Sequence, residues 1–367
     1  MKKLIGFALL TFLNITVSSQ AAMPYEWSTA LTLESVTNVN GGVKKGTREL
    51  ANFDLTLAVD TEAADWWSDG EWFVYVLGNA GKNPSYYIGD IQGVSNIATD
   101  EALKVYEFWY QHSFFEKSVS VLFGLHDYNS TFYSLESAGL FTHPSFGIGP
   151  DTSQAVPSIF STTSTTLHFT FHGDNQYLLA AVYDGIPGDP NNPRGTHIQF
   201  NSGDGLFSAL EWGWTNDSHD KVALGVWQQT AEVENSVDGQ QTDDNSGIYV
   251  IAEKNINDVA AIFIQLGRAD DEVNQLDYYG GTGITFSNFW LDGDGLGLAV
   301  AHARNGDPYL TENSQAGRAE TAWELTYFVP VIEHLSAQTS LYYVQNPSMD
   351  RTLDDAVALG ARVYIEF

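Results

Sequence analysis

Cysteine is absent from the 367-residue chain, and basic residues are scarce, with 16 Lys and Arg against 46 Asp and Glu. Without cysteine there is no disulfide framework and no thiolate-ligated metal site. The formal charge of −30 argues against a nucleic-acid partner, since such a surface repels polyanions, and it would favour cations in any pore that it lined. Proline is sparse, at 11 residues, and long amphipathic helical patterns are nearly missing. Beyond the first twenty residues no stretch is apolar enough to be a transmembrane helix. The nine histidines show no metal-ligand spacing, and no glycine-rich nucleotide loop follows a strand, so no cofactor is expected.

What is present begins with "MKKLIGFALLTFLNITVSSQAA". Lys2 and Lys3 precede an apolar run from Leu4 to Val17, and Ser19 and Ala21 suit the −3 and −1 positions of a cleavage site. These are the parts of a secretory signal over residues 1–21. The run is shorter than the roughly 20 apolar residues a spanning helix needs. The expected mature chain, residues 22–367, is a single domain with a charge of −32 once Lys2 and Lys3 are removed.

Aromatic residues make up 13% of the chain, and glycine is abundant. The dominant pattern is an alternation with period two, the mark of strands with one apolar and one wet face. "ANFDLTLAV" places Phe53, Leu55, Leu57 and Val59 opposite Asn52, Asp54 and Thr56. "TLHFTFH" places Leu167, Phe169 and Phe171 opposite His168 and Thr170. The chain ends on such a strand, with Val357, Leu359, Ala361, Val363, Ile365 and Phe367 on one face.

Strands are predicted at 27–36, 50–59, 71–79, 103–112, 118–126, 165–172, 176–183 and 206–214. Eight more follow at 221–230, 246–254, 259–267, 282–289, 296–304, 320–329, 336–345 and 356–367. From the first connection onward the odd-numbered ones are expected to be long and the even ones short, as in barrels with short periplasmic turns and long extracellular loops. Lys and Arg are nearly absent from the apolar faces, where contact with lipid would cost about 2–4 kcal/mol at mid-membrane. Trp66, Trp67, Trp72, Tyr86, Tyr87, Tyr278, Tyr279, Tyr342 and Tyr343 cluster near strand ends, where an interfacial girdle would lie. The pattern predicts an all-β, 16-stranded antiparallel transmembrane β-barrel of the outer-membrane porin type, in a Gram-negative outer membrane. A closed barrel must pair its last strand with its first.

Several segments are more specific. "YYIGDIQGVSNI" (86–97), "KVYEFWYQHSF" (104–114), "LFGLHDYNSTF" (122–132), "GLFTHPSFGIGPD" (139–151), "AAVYDGIPGDPNNP" (180–193) and "ETAWELTYFVPV" (320–331) resemble the carbohydrate-selective porin family, OprB. The resemblance runs in order across essentially the whole mature chain. It implies an outer-membrane porin passing small carbohydrates by passive diffusion, with long loops folded into the lumen to form one constriction. Phe367 resembles the C-terminal signal that outer-membrane assembly machinery recognises. Lys104 stands where the family often has Arg, and His168 and His172 stand where basic residues are usual.

Sugars are recognised by planar side chains against their apolar faces and by hydrogen bonds to hydroxyls. The expected pore-lining and sugar-contact residues are Glu107, Trp109, Asp127 and Asn129, with Lys104, His143, Glu211 and Glu324 on the same luminal surface. Paired carboxylates could also serve a glycosidase, but nothing marks a catalytic pair among so many acids, and no enzyme activity is expected. "LDGDGLG" (291–297) lacks the spacing and closing Glu of a calcium loop and is expected to be a turn. A general, weakly cation-selective channel without a sugar site stays open as the alternative, as does a barrel with a blocked lumen. Expected partners are lipid and lipopolysaccharide, the barrel-assembly machinery and carbohydrates in transit. Monomer and trimer are both compatible with the sequence.

Overall fold

The computed structural model describes residues 23–367; the predicted signal segment 1–21 lies outside them. Nine strands occupy the first part: β1 (Tyr25–Asn40), β2 (Gly46–Asp60), β3 (Gly70–Gly81), β4 (Ala102–Phe114), β5 (Val119–His126), β6 (Ser164–His172), β7 (Gln176–Asp184), β8 (Leu206–Thr215) and β9 (Lys221–Gln229). Two short loop strands follow, β10 (Val233–Glu234) and β11 (Gln241–Thr242). The remainder are β12 (Asn245–Asn255), β13 (Ala260–Ala269), β14 (Leu276–Ser287), β15 (Gly295–Asn305), β16 (Ala319–Ile332), β17 (Leu335–Gln345) and β18 (Ala356–Glu366). Apart from the β10–β11 hairpin they form one closed barrel, each strand antiparallel to its neighbours, with β18 returning to β1. The predicted sixteen strands are therefore the sixteen barrel strands.

Closure follows from physics. In hydrocarbon an unpaired edge leaves backbone groups without partners. Here Leu33 faces Val363 and Glu34 faces Arg362 across the seam. At its end Phe367 N–H donates to the Thr29 carbonyl, and Thr29 N–H donates to the Phe367 carbonyl, both at 2.9 Å.

The two faces divide as the alternation requires. Phe53, Leu55, Leu57, Leu167, Phe171, Leu325 and Leu359 are exposed on the outside, while Asn52, Thr166, His168, Glu211 and Glu324 are buried within. Successive side chains on a strand point to opposite faces, and this corrects the expected girdle. Tyr278 and Tyr343 point out, but their neighbours Tyr279 and Tyr342 are fully buried inside the barrel. Tyr87 also leaves the girdle, because Lys44 and Arg48 lie over its ring at 4.6 and 4.0 Å. Trp66 and Trp67 are exposed at the periplasmic end, and Trp72 lies 4.8 Å from the Tyr110 ring beside them.

Two further expectations change. β1 and β2 run on to Asn40 and from Gly46 as a long hairpin, so the first connection, 41–45, is shorter than the second, 61–69. The odd connections 82–101, 127–163 and 185–205 are long, but the parity rule fails again at 270–275, which is shorter than the even connection 288–294. β14 begins at Leu276 and not near 282, since the glycines that interrupt its apolar pattern stay in register with β13 and β15.

The interior is not uniformly wet. Loop 127–163, with the short helix α2 (Pro150–Ser153), folds inward. Its Phe132, Tyr133, Phe141 and Phe146 form one apolar cluster with wall residues of β7 to β15. Tyr133 lies 4.3 Å from Tyr249 and Phe141 5.8 Å from Phe263, ring to ring. Loop 82–101, with α1 (Ser85–Ile88), packs Ile88 and Val94 against Val36, Tyr342, Val344 and Ala358. Small residues such as Ala223, Ala299 and Ala301 on the inner wall give the loops room to approach it.

Candidate functional site

The luminal surface is organised by carboxylates on the wall that accept loop amides. Glu324, on β16, accepts the Thr142 N–H at 3.0 Å, the His143 N–H at 2.9 Å and the Ser340 hydroxyl at 3.0 Å. Glu320, four residues earlier on the same face, accepts the N–H groups of Ile91, Gln92 and Ser348 at 2.9, 3.1 and 2.6 Å. Glu211, on β8, accepts the Tyr133 N–H at 2.9 Å and the Tyr177 and Tyr249 hydroxyls at 2.6 Å. Glu253, on β12, accepts the Ser137 N–H at 2.8 Å. An ionised carboxylate that accepts backbone amides makes stronger hydrogen bonds than neutral groups do. Loop backbone that would otherwise lack partners is thereby satisfied inside the barrel.

These contacts press the loops against β6 to β18 and leave a different wall on β2 to β4. There Asp54, Thr56, Ala58, Glu71, Tyr75 and Gln111 are partly exposed toward the lumen. Asp54 accepts the Tyr75 hydroxyl at 2.5 Å and the Asn52 amide N–H at 2.7 Å, and Asn79 Nδ2 donates to the side-chain Oδ1 of Asn52 at 2.7 Å. The result is a polar ladder across two strands.

The predicted residues fall into two sets. Lys104, Glu107, Trp109 and Asp127 sit at or beside this wall. A bulge at Tyr106, between the pairs Tyr75–Glu107 and Val76–Val105, turns Lys104 and Glu107 to the same face despite their odd spacing. Trp109 donates its ring N–H to Glu107 at 2.9 Å and stacks on Phe73 with ring centroids 5.0 Å apart. Both are nearly buried. Lys104 Nζ donates to Thr162 at 2.8 Å and to the Pro193 carbonyl at 3.0 Å, tying two loops to the rim. Asp127 caps the turn after β5, accepting the Asn129 N–H at 2.7 Å, and takes the Tyr106 hydroxyl as well. Asn129 spends its amide on the carbonyls of Phe132 and Gly147, both at 3.1 Å. His143, Glu211 and Glu324 belong to the loop-anchoring side. Phe367 sits at the seam, its ring stacked on His334 at 5.1 Å.

Burial dominates the electrostatics of the loops. It raises the Asp127 and Asp90 carboxyls to about 6 and Asp151 to about 7, and lowers the His143 imidazole to about 3. Among the described residues no group of His, Asp and Glu is arranged to hold a metal ion. Of the 291–297 segment, 291–294 form the expected turn, while 295–297 already open β15. Asp294 accepts the N–H groups of Phe289 and Leu291 at 2.6 and 3.0 Å and the Tyr327 hydroxyl at 2.7 Å.

The sequence reading missed Asp54, Tyr75, Asn52 and Asn79 as a unit, and Glu34 and Glu253 as anchors. Their inward phase was legible in the alternation, but their proximity depends on the β2–β3 register and on loop paths that no local pattern encodes.

A closed sixteen-stranded barrel with an apolar exterior and loops fastened inside its lumen defines an outer-membrane porin. The chain belongs to the carbohydrate-selective porin, OprB family, whose model matches residues 44–367. It is thus a porin of the Gram-negative outer membrane, giving small carbohydrates a passive route. Among solved structures it resembles Pseudomonas putida OprB at high pH, with 18% identity, 94% of each chain covered and a TM-score of 0.81. The low-pH structure of the same protein aligns with 14% identity, 94% of this chain, 93% of that one and a TM-score of 0.62. The outer membrane channel DcaP of Acinetobacter baumannii aligns at 9% identity, 96% and 99% coverage, and a TM-score of 0.60. At these identities the likeness is one of fold. No curated protein matches the sequence.

Proposed function

We propose that carbohydrates pass along the β2–β4 side of the lumen, touching Asp54 and Tyr75, while Glu107, Trp109 and Asp127 hold that surface from behind. The observation that carries this reading is the one-sided packing of loop 127–163 against β7 to β15, opposite the partly exposed polar wall. A tyrosine ring beside a carboxylate and two amides offers a sugar an apolar face and both hydrogen-bond polarities. The same carboxylates favour neutral solutes and cations over anions. The chain acts without catalysis. Residues 1–21 direct export and are removed, leaving one barrel domain from about Ala22. Its partners are outer-membrane lipid, lipopolysaccharide and the assembly machinery that reads Phe367; protomers could pass solutes singly or as a trimer.

Liposome swelling with a series of mono- and disaccharides tests the reading. Tyr75→Ala and Asp54→Ala should change the ranking of the sugars, with uptake still graded. Indiscriminate uptake by the wild type would instead favour a general diffusion channel, and no uptake a closed barrel. Uptake ranked identically in wild type and both variants would remove this wall from the path. A reversal potential showing anion preference would end the charge argument.

A further inference from the structure

Arg48 is locked in place with its hydrogen-bond donors unused. By the alternation it points inward at the extracellular end of β2, on the face that carries Asn52 and Asp54 lower down. Its Cζ lies 4.0 Å from the Tyr87 ring centroid, and Lys44 Nζ lies over the same ring at 4.6 Å. Tyr87 is itself fixed. Its carbonyl accepts the Val43 and Lys44 N–H groups, both at 3.0 Å. The buried Asn38 amide donates to the Gly41, Lys44 and Tyr87 carbonyls at 2.9, 3.0 and 3.0 Å.

In this rigid setting the guanidinium makes no ion pair and no hydrogen bond among the described residues, and its Nε is buried without an acceptor. The residue is half-buried, so the outer edge of the fork stays open to the mouth. A guanidinium carries five N–H donors in one plane. The other inward bases are engaged by the protein. Lys104 donates to Thr162 and the Pro193 carbonyl, Lys221 to the Ser134 carbonyl beside Glu211, and Arg362 to Glu34. Donors shielded from water without acceptors are costly, and Arg48 is therefore set to receive acceptor oxygens from outside the chain.

The wall below has the opposite polarity at its centre. Tyr75 and Asn52 both donate to Asp54, so what Asp54 offers a solute is acceptor oxygen. Arg48 and Asp54 lie six residues apart on one strand, about 20 Å, the length of about four linked pyranose rings. Leu50 and Asn52 stand between them on the same face and are both buried. That stretch gives a solute nothing to hold.

We propose that Arg48 is a specificity-determining residue, the entry subsite for neutral, unbranched oligosaccharides whose adjacent ring hydroxyls take its fork while their leading end reaches Asp54. The inference rests on the β2–β4 route proposed above and adds a second foothold to it. Hydroxyl oxygens accept from the parallel N–H groups of one guanidinium. Neutral chains fit better than acidic ones because the carboxylates further in repel anions. Two weak contacts joined by one ligand reinforce each other through effective concentration. A mono- or disaccharide touches them one at a time and gains nothing from the pair.

Sugar block of single-channel current tests this on the purified full chain, with neutral glucose oligomers of increasing length as probes. For wild type the blocking affinity should climb with length and level off near the tetrasaccharide. Arg48→Lys keeps a charge over Tyr87 but loses the fork, and it should weaken tetrasaccharide block about tenfold. Asp54→Ala should flatten the series as well, whereas Lys45→Gln, an exposed neighbour, should leave it unchanged. If Arg48 only pins the hairpin, its variants will weaken block by every length alike, and that overturns the proposal. So does a wild-type series without length dependence, or a tetrasaccharide held as tightly by Arg48→Lys as by wild type. A uronate tetrasaccharide that blocks more tightly than the neutral one would mark an anion site and overturn it too. A flat series beside a sugar ranking that still responds to Tyr75→Ala removes the second foothold alone. A series that needs Arg48 but survives Asp54→Ala, with a ranking indifferent to Tyr75→Ala, removes the β2–β4 route itself.

Discussion

Arg362 and Glu34 face each other where the last strand meets the first, with Nη2 3.1 Å from Oε1 and both side chains almost fully buried. Ser95 of loop 82–101 donates its hydroxyl to the same carboxylate. One ion pair therefore sits at the barrel seam and at the base of a luminal loop.

Removing one partner of a buried pair leaves the other charge uncompensated, at a cost of about 3–5 kcal/mol. Arg362→Met should lower the urea midpoint of the folded barrel accordingly, while the double variant Arg362→Met with Glu34→Gln should recover most of the loss. A single variant as stable as wild type would show that water reaches Glu34.

Glu324→Ala deprives the amides of Thr142 and His143 of their acceptor, and each buried group left unsatisfied costs about 1–3 kcal/mol. The loop tip around Phe141 to Phe146 should loosen. Single-channel recordings should then show larger and noisier conductance. Unchanged current would mean that aromatic packing alone holds the loop.

Asp151 titrates near 7 in the folded chain because burial disfavours its charge. The unfolded chain has released this proton by about pH 4. Between those values the folded state binds the extra proton, so stability falls as the pH rises, by roughly 1 kcal/mol from pH 6 to 8. Asp151→Asn should flatten that part of the urea-midpoint profile. His143, held neutral by burial, acts in the opposite sense below about 6.5, so the window from 6.5 to 8 lies clear of its contribution. A profile as steep in the variant as in wild type would place the titration elsewhere.

Deleting Phe367 removes the two seam hydrogen bonds with Thr29 and the stack on His334. The amount of heat-modifiable barrel recovered from outer membranes should fall several-fold, while the same variant refolded into detergent should lose much less. Equal losses in both would make Phe367 a stability element with no part in assembly.

The architecture was legible because lipid imposes a simple code. Leu359, Val363 and Leu325 had to alternate with Gly360, Arg362 and Glu324, and no loop path could disturb that. The luminal side obeys no such code. Glu107 and Glu324 read alike in the sequence, as inward acids on strands, yet one braces Trp109 and the other fastens a loop whose Thr142 lies 182 residues away in the chain. Lys104 and Glu107 share a face only through the extra residue at Tyr106, which period-two counting cannot place. Tyr278 and Tyr279 looked like a matched aromatic pair, but adjacency in a strand is what separates them.

Because the aromatic cluster of loop 127–163 packs against β7 to β15, the proposed route beside β2 to β4 would take a solute through a lane that misses most of the circumference. Substitutions beneath the loop, at Ala223, Ala299 or Phe263, would then register as changes in how firmly the obstruction stands. Those at Asp54 or Tyr75 would register in which molecules get through. Firmness and selectivity can drift separately in such a protein, since opposite sides of one cylinder carry them.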